Sequence, residues 1–270
     1  MLKFNMLSSV FEHNGSSTVN QKPSFFEWDF KNKTGDIDFY IDGDIHKAIL
    51  ERDNGRKKIL WTLESPHFNN GVFDYIKNNL TVVLEVFEFI FTYNEEFLEI
   101  DKKFNFVPAM GSWVKNPQLK NKTKLISMVT SNKTITPQQK YRVDFANGNR
   151  NKIDIYGRGF KEILNKEEGL EDYMFSVCIE NTTTDTYFTE KILDCFALGT
   201  IPIYKGSKNI INHFDAGGIL FLDDVDLKDI SENLYISKYE HIKNNFNKVK
   251  NLIIPEDIIY KIIKQKYESN

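Results

Sequence analysis

The chain has 270 residues, of which 41% are hydrophobic and 14% aromatic, which excludes a disordered polymer and allows a buried core. Its formal net charge is −3, which excludes a general electrostatic attraction for nucleic acid or anionic lipid, so any phosphate site has to be local. No window approaches a signal peptide or a membrane span, and we expect a cytoplasmic chain. The 22 phenylalanines fit a core-rich enzyme, and AT-rich coding bias explains them equally well.

The residues that most often bind metals show no metal-binding pattern. Cys178 and Cys195 each lie in an apolar run, which predicts two buried, reduced thiols. The five histidines are scattered without zinc-like spacing. Asp42-Gly43-Asp44 and Asp223-Asp224 are the nearest approach to an acidic metal motif, and their polar surroundings favour turns. We therefore predict no metal site.

The first 120 residues contain mixed patterns. Strands are predicted within 36–41, at the start of 57–68, over the β-branched and aromatic run 80–93, and at the start of 104–114. The second of these ends in a loop at Ser65-Pro66, because the residue before proline resists helix. Residues 116–124 are polar and contain a proline, which indicates a linker between two halves.

The second half alternates strands and helices, which predicts a parallel α/β layer. A helix over 136–148 has Thr136 as its cap and Pro137 in its first position. A second helix over 187–199 has Thr189 as its cap and Gly199 as its stop. The intervening and following segments are predicted as strands 124–132, 152–159, 173–181 and 200–207, a short strand or turn 218–225, and an amphipathic helix 237–253.

The loop that joins 173–181 to the second helix is a candidate anion site, because the N–H groups and the dipole of a helix N-terminus point into it. Lys191 lies in the first turn of that helix, where a cation is locally unfavourable. A bound phosphate would explain it, and a solvated surface lysine is the alternative. Deleting Lys191 is then expected to leave the fold intact.

The segment from Tyr173 to Gly206 resembles the donor-binding signature of the α1,3/4-fucosyltransferases, glycosyltransferase family 10. The resemblance rests on Glu180-Asn181, then Tyr187-Phe188-Thr189-Glu190-Lys191, then Gly199-Thr200-Ile201-Pro202-Ile203-Tyr204-Lys205-Gly206. Phe188 departs from the family pattern, where a small or branched aliphatic residue is usual. Two shorter matches lie upstream: residues 131–158, with Arg142, and the segment 60–68, whose Glu64 corresponds to the family's catalytic base.

The resemblance implies an α/β fold of GT-B type, in which two facing Rossmann-like domains hold the active site in the cleft between them. We expect an acceptor-side domain over residues 1–120, which carries the base, and a donor-binding domain over 121–270, whose last helix crosses back to the first domain. The implied reaction is inverting transfer of L-fucose from GDP-fucose to a glycan hydroxyl, in α1,3 or α1,4 linkage. The alternatives are a transferase with another nucleotide sugar and an inactive nucleotide-sugar-binding module.

The resemblance also implies roles for single residues. Glu64 is the expected catalytic base, and Arg142 and Lys191 are the expected partners of the donor phosphates, in place of any metal or cofactor. Glu190 is expected at the ribose hydroxyls, and the remaining donor-site residues are Asn181 and Tyr187. Three weaker candidates are Arg158, Thr189 and His67. The expected partners are a nucleotide-sugar donor and a glycan acceptor, with no nucleic acid; the acceptor's identity and the oligomeric state stay open.

Overall fold

The computed structural model describes residues 2–69 and 71–268 and contains two separate sheets, each made of parallel strands. The first sheet has the order β2-β1-β3-β4-β5-β6. Its strands are β1 (Leu2–Met6), β2 (Phe26–Asp29), β3 (Ile37–Ile41), β4 (Lys57–Thr62), β5 (Phe89–Thr92) and β6 (Phe104–Phe106). The second has the order β11-β10-β9-β7-β8. Its strands are β7 (Lys124–Val129), β8 (Asp154–Tyr156), β9 (Tyr173–Ile179), β10 (Ile201–Lys205) and β11 (Leu220–Phe221).

α-Helices form several of the connections between these strands, as is usual for parallel pairing. They are α1 (Ile45–Leu50), α2 (Val72–Asn78), α3 (Leu80–Val86), α4 (Pro137–Gly148), α5 (Glu190–Ala197), α6 (Ile210–His213), α7 (Glu232–Ser237), α8 (Tyr239–Lys250) and α9 (Pro255–Glu268). Short 3-10 turns lie at Asp42–Asp44, Glu95–Phe97, Lys166–Gly169, Ala216–Gly218 and Leu227–Asp229. Within the described residues, no helix combines the length and the apolar character needed to cross a membrane.

The chain divides into two compact units, of which unit 1 is Met1–Gly111 with Ile253–Asn270 and unit 2 is Ser112–Leu252. The expected boundary at residue 120 differs from this division because the predicted linker packs within unit 2. There the Lys122 ammonium donates to the carbonyls of Glu171 (2.8 Å) and Leu198 (2.6 Å). Burial lowers the pKa of Lys122 to about 8.

The sheet of unit 1 is buried on both faces, which explains why α9 belongs to this unit. Successive residues of a strand point to opposite faces. Phe39, Ile59 and Phe89 join one apolar cluster together with Ile259 and Ile263 of α9. The next residue of each strand joins the other cluster, with side chains of α1, α2 and α3: Tyr40, Leu60 and Ile90. The division by contacts therefore assigns α9 to unit 1 rather than to the expected domain 121–270, and the acceptor-side and donor-binding roles of the two domains stay predictions.

The segment 80–93 corrects one predicted element. We expected a single strand, and the structure has α3 (Leu80–Val86) followed by β5 (Phe89–Thr92). The hydrophobic residues Leu80, Val83, Leu84 and Phe87 all pack against the cluster that contains α1. Their spacing is the helical one, i, i+3, i+4 and i+7, so periodicity outweighs the β-branched composition here.

The predicted helices of unit 2 have the expected caps. Thr136 caps α4: its Oγ1 accepts from the N–H of Gln139 at 3.0 Å, and the Gln139 side chain returns a bond to the Thr136 backbone. Thr189 caps α5, and Gly199 adopts a positive φ of 66° just after that helix. All seven positions of β9 are buried between helices, as its continuous apolar run predicted.

Candidate active site

The candidate donor site lies in unit 2, where β9 ends and the loop 181–188 leads into α5. Glu180 follows the last strand residue and is fully buried. Its Oε1 accepts from the backbone N–H of Thr189 at 2.9 Å, and its Oε2 accepts from the Thr189 hydroxyl at 2.8 Å. The carboxylate therefore ties the end of the strand to the cap of the helix and fixes both ends of the loop.

Lys191 turns back from α5 onto this carboxylate. Its ammonium donates to Glu180 Oε2 at 3.2 Å and to the Thr189 hydroxyl at 2.9 Å, and it lies 3.6 Å from Glu190 Oε1. Burial lowers the pKa of Lys191, but the two carboxylates outweigh burial and raise it above its ordinary value. Lys191 is thus a charged, partly buried residue rather than a solvated one, and two carboxylates already offset its unfavourable position. Removing this ammonium would break an ion pair with a buried carboxylate, so we expect a loss of stability, and whether the fold stays intact remains a prediction.

Glu190 is held on its other side by Lys166, a residue that the sequence analysis did not single out. The Lys166 ammonium lies 2.9 Å from Glu190 Oε1 and 3.2 Å from Asp194 Oδ2, and it sits 3.8 Å above the ring of Trp113. Burial acts to raise the pKa of Glu190, but Lys166 and Lys191 outweigh it and lower the pKa to about 2. Glu190 is therefore ionised in the neutral range. Nothing in the polar stretch around Lys166 distinguishes it from a surface lysine, so only the fold identifies it.

Arg142 extends from α4 to the residues on either side of Glu180. Its Nη1 donates to Asn181 Oδ1 at 3.1 Å and to the carbonyl of Ile179 at 3.4 Å. Only 6% of Arg142 is exposed, and its buried Nε has no hydrogen-bond partner among the residues that the structure describes. Burial lowers the pKa of Arg142, which the carboxylates of Glu180 and Glu190 counteract. The buried Nε of the guanidinium is thus a hydrogen-bond donor that no described residue uses.

Ile179 to Asn181 link the two predicted phosphate-binding residues, since Arg142 contacts Ile179 and Asn181, and Lys191 contacts Glu180. Five residues share one charged network: three cations, Arg142, Lys166 and Lys191, with the ionised carboxylate of Glu190 and the carboxyl of Asp194, whose pKa burial raises. Together with the carboxylate of Glu180, the three cations and the two carboxyl groups have nearly balanced charge. The Nε of Arg142 remains a donor without a partner among the described residues.

The other predicted donor-site residues lie in different environments. Thr189 is fully buried and its hydroxyl is used as the cap of α5, so any contact with a donor would be indirect. Tyr187 is fully buried as well, and its contact with a nucleotide stays a prediction. Phe188 packs against His213 and Phe214 at ring distances of 5.3 and 6.2 Å. Arg158 is exposed in the turn after β8.

Gly206 packs directly against the side chains of Glu180 and Tyr204. A Cβ at this position would lie 2.7 Å from Glu180 Cγ and closer still to the Tyr204 hydroxyl, so only glycine fits between them. The following residue fixes the same region, because the Ser207 N–H donates to the Tyr204 hydroxyl at 3.1 Å. The glycine of the last motif is therefore a packing requirement of the buried carboxylate.

The acidic pairs do not form metal clusters among the described residues, where no group of three His, Cys, Asp or Glu side chains is placed to hold a metal ion. Asp223 lies in a turn and pairs with Lys205 at 2.7 Å. Asp42 begins a 3-10 turn, and its carboxylate is occupied by backbone N–H groups. Metal independence of the reaction stays a prediction.

The predicted base, Glu64, lies in unit 1, two residues after the end of β4. It is partly buried, and the preceding side chains Trp61 and Leu63 are buried and apolar, as expected. Its backbone N–H donates to Asp42 and its carbonyl accepts from Tyr93, both at 2.9 Å. His67 is exposed in the turn that follows, with its ring 5.5 Å from that of Phe68.

Three solved structures of an alpha1,3-fucosyltransferase share this fold. The first aligns with a TM-score of 0.53 and 19% identity over 93% of this chain and 81% of that one. The structure with GDP aligns with a TM-score of 0.54 and 18% identity over 95% of this chain and 92% of that one. The structure with GDP-fucose aligns with a TM-score of 0.53 and 19% identity over 93% of this chain and 81% of that one. At such identities the likeness establishes the fold, two parallel-sheet Rossmann-like units of GT-B type.

The relatives found by sequence match this chain over shorter stretches than the solved structures do. The chain is 39% identical over 83 residues to the alpha-(1,3)-fucosyltransferase FucT of Helicobacter pylori, which is 31% of this chain and 17% of that protein. It is 27% identical over 144 residues to 4-galactosyl-N-acetylglucosaminide 3-alpha-L-fucosyltransferase 9 of Cricetulus griseus, which is 47% and 39% of the two. The chain thus matches less than half the length of either relative. Residues 119–241 match the family described as glycosyltransferase family 10 (fucosyltransferase), C-terminal. This matching segment lies within unit 2 and covers somewhat less than half of the chain, so it is this part of the chain that is similar to glycosyltransferase family 10, the fucosyltransferases.

Proposed function

We propose that the chain transfers L-fucose from GDP-fucose to a hydroxyl of a glycan with inversion, in α1,3 or α1,4 linkage. The family match over residues 119–241 supports the reaction class, and the names of the relatives support the donor and the 3-linkage. The observation that carries the proposal is Arg142, a buried guanidinium whose Nε has no partner among the described residues. A buried donor without a partner costs about 1–3 kcal/mol, which a bound anion would offset.

A diphosphate fits the donors that surround this arginine. Guanidinium groups bind phosphate oxygens through two parallel hydrogen bonds, and an ammonium acts as a point charge beside them. Lys191 holds Glu180 at 3.2 Å but Glu190 only at 3.6 Å, so the weaker of the two contacts is the one that a phosphate oxygen would replace. Glu190 would keep Lys166 at 2.9 Å and accept the ribose hydroxyls of the nucleotide.

In the proposed mechanism the acceptor oxygen attacks the anomeric carbon, the bond from that carbon to the β-phosphate oxygen breaks, and GDP leaves. Glu64 removes the proton from the acceptor hydroxyl as the new bond forms, which is general-base catalysis worth about 10²–10⁴-fold. Arg142 and Lys191 stabilise the negative charge that grows on the leaving diphosphate. Two fixed cations then take the part that a divalent metal plays in other transferases.

The first test is transfer of labelled fucose from GDP-fucose to a panel of glycan acceptors, with a panel of other nucleotide sugars run in parallel. We expect transfer from GDP-fucose alone. Transfer from a different nucleotide sugar would establish the second type of transferase. Binding of GDP-fucose with neither transfer nor slow hydrolysis would establish an inactive binding module.

The second test separates the base from the donor site. Glu64→Gln should lower kcat by about 10²-fold or more, with GDP affinity unchanged. Arg142→Ala should weaken GDP binding by about 1.5–3 kcal/mol. The matched control is Arg150→Ala, because Arg150 is exposed just after α4, donates to nearby Asn147 and lies 5.1 Å from the centre of the Phe160 ring, away from the Arg142 contacts. A Glu64→Gln enzyme that keeps more than about half its activity would exclude Glu64 as the base.

A further inference from the structure

Three neighbouring strands of unit 1 end around the backbone of Glu64. The sheet order places β4 between β3 and β5, so the carboxyl ends of the three strands meet at one edge. Glu64 follows the middle strand, Asp42 follows β3 directly, and Tyr93 follows β5 directly. Each outer strand thus sends one side chain to the end of the strand between them.

Asp42 holds the two N–H groups of this segment. Its Oδ1 accepts from the N–H of Leu63 and its Oδ2 from the N–H of Glu64, both at 2.9 Å. The Asp42 residue is only 5% exposed, so the two bonds form out of water. One carboxylate that accepts two successive N–H groups fixes the plane of the peptide that joins Leu63 to Glu64.

Tyr93 holds the carbonyl on the other side. Its hydroxyl donates to the carbonyl oxygen of Glu64 at 2.9 Å, and only 1% of the residue is exposed. The strand ends are also joined by the hydroxyls of Thr62 and Thr92, which lie 2.8 Å apart. Both peptide groups that flank the Glu64 Cα are therefore fixed by buried side chains from the neighbouring strands.

The backbone of Asp42 is strained to make this contact. Its φ is +46°, a conformation that non-glycine residues adopt rarely, although aspartate is among the least unfavourable. Such strain persists only where surrounding structure over-determines it, and it concentrates at functional sites. Here the turn that follows β3 takes this conformation, and the carboxylate lies within hydrogen-bond distance of the neighbouring strand's end.

We propose that Asp42 and Tyr93 are positioning residues that hold the Glu64 backbone so that its carboxylate points at the acceptor hydroxyl. This inference rests on the proposed role of Glu64 as the base. A side chain follows its backbone, and a misplacement of about 1 Å at a reacting group can cost about 10²-fold in rate. Two clamped peptide groups limit that displacement, as preorganised sites require.

The decisive variant is Tyr93→Phe, which removes one hydroxyl and keeps the ring in the core. We expect kcat to fall about tenfold or more while KM for GDP-fucose and GDP affinity stay unchanged. The matched control is Tyr235→Phe, because the Tyr235 hydroxyl also donates to a backbone carbonyl, that of Gly199, at 2.8 Å. The control should lose similar stability and keep its kcat within about twofold, since it touches no reacting group.

Asp42 is tested with two substitutions. Asp42→Gly removes both bonds and tolerates the positive φ, whereas Asp42→Asn keeps one acceptor. We expect kcat to decrease from wild type to Asp42→Asn to Asp42→Gly. Asp29→Asn is the control, because Asp29 is equally buried but accepts only from its own turn, at Lys31, Asn32 and Thr34.

A double-mutant cycle distinguishes positioning from a general loss of structure. If Tyr93 acts through the base, Tyr93→Phe should have no further effect on kcat in a Glu64→Gln background. An equal loss of kcat in both backgrounds would overturn the proposed positioning role of Tyr93. A loss of kcat of the same size in the Tyr235→Phe control would overturn it as well. Full activity of Glu64→Gln itself would instead exclude Glu64 as the base, and absence of transfer from GDP-fucose by the wild type would refute the proposed function, so the failures are distinguishable.

Discussion

Replacing Lys191 by methionine should separate its part in folding from its part in donor binding. The substitution keeps the aliphatic stem and removes the ammonium that holds Glu180 at 3.2 Å and the Thr189 hydroxyl at 2.9 Å. Breaking a buried ion pair by removing one partner costs about 3–5 kcal/mol. The cost here should be lower, about 2–4 kcal/mol, because Glu180 keeps its two bonds from Thr189 and 21% of the Lys191 side chain is exposed.

The thermal unfolding midpoint should therefore fall by roughly 5–15 °C, and calorimetry should show GDP binding weaker by about 1.5–3 kcal/mol. A second substitution tells the two effects apart. In Lys191→Met combined with Glu180→Gln, the amide can still accept from the Thr189 N–H and donate to its hydroxyl, and no unpaired buried charge remains. Stability should recover, and GDP affinity should not.

One control variant and one additivity test accompany the Lys191 experiment. Lys120→Met removes a surface ion pair with Glu171 and should change neither property by more than about 0.5 kcal/mol. Lys191→Met and Arg142→Ala should together cost less GDP affinity than the sum of the single changes, because they share one diphosphate. Recovery of GDP affinity together with stability in the Glu180→Gln double variant would refute a direct contact between Lys191 and the donor.

Three further outcomes follow from particular groups. Transfer should survive exhaustive chelation, and a loss that Mn²⁺ or Mg²⁺ restores would mean that a metal assists the leaving group. Gly206→Ala should destabilise unit 2 by about 1–3 kcal/mol and weaken GDP binding, because its Cβ would press on Glu180; a melting curve unchanged from wild type would contradict this. Burial, with added repulsion from Glu64 and Asp44, raises the pKa of Asp42 to about 7, so its contribution to stability is complete below about pH 4 and is lost as pH rises through 7. Asp42→Asn should flatten the stability of unit 1 across that range, measured by denaturant unfolding, and an unchanged slope would exclude Asp42 as its source.

The order of the main strands and of α4, α5 and α8 in unit 2 was predictable because its patterns are local, whereas the short α6 and α7 were not predicted. A proline and a threonine mark the start of α4, a continuous apolar run marks β9, and a glycine marks the end of α5. Caps and turns depend on residues a few positions apart, so the residues adjacent in sequence suffice to predict them. The family motif around Lys191 is likewise a continuous stretch of sequence.

The segment 80–93 marks the point where local patterns became ambiguous. Its β-branched and aromatic residues favour strand, whereas Leu80, Val83, Leu84 and Phe87 repeat with the period of a helix. The first part is α3 because only a helix puts those side chains together against the cluster that contains α1. The second part is β5, because Phe89 and Ile90 lie on opposite faces of the sheet and are buried on both.

The sequence by itself determined the α/β class and the family resemblance, since each depends on composition, periodicity or a contiguous motif, and the donor-site residues named from that motif stay predictions. Only the tertiary structure decided what those residues touch. Lys166 meets Glu190 across 24 positions, Arg142 meets Asn181 across 39, and Tyr93 meets Glu64 across 29. The last pair forms because parallel strands bring their carboxyl ends to one edge of a sheet whatever their separation along the chain, whereas the first two depend on how a 3-10 turn, α4 and α5 pack around β9. No local pattern records that proximity, so the clamp on Glu64 and the ion pairs of Lys191 emerge only when both sheets are folded.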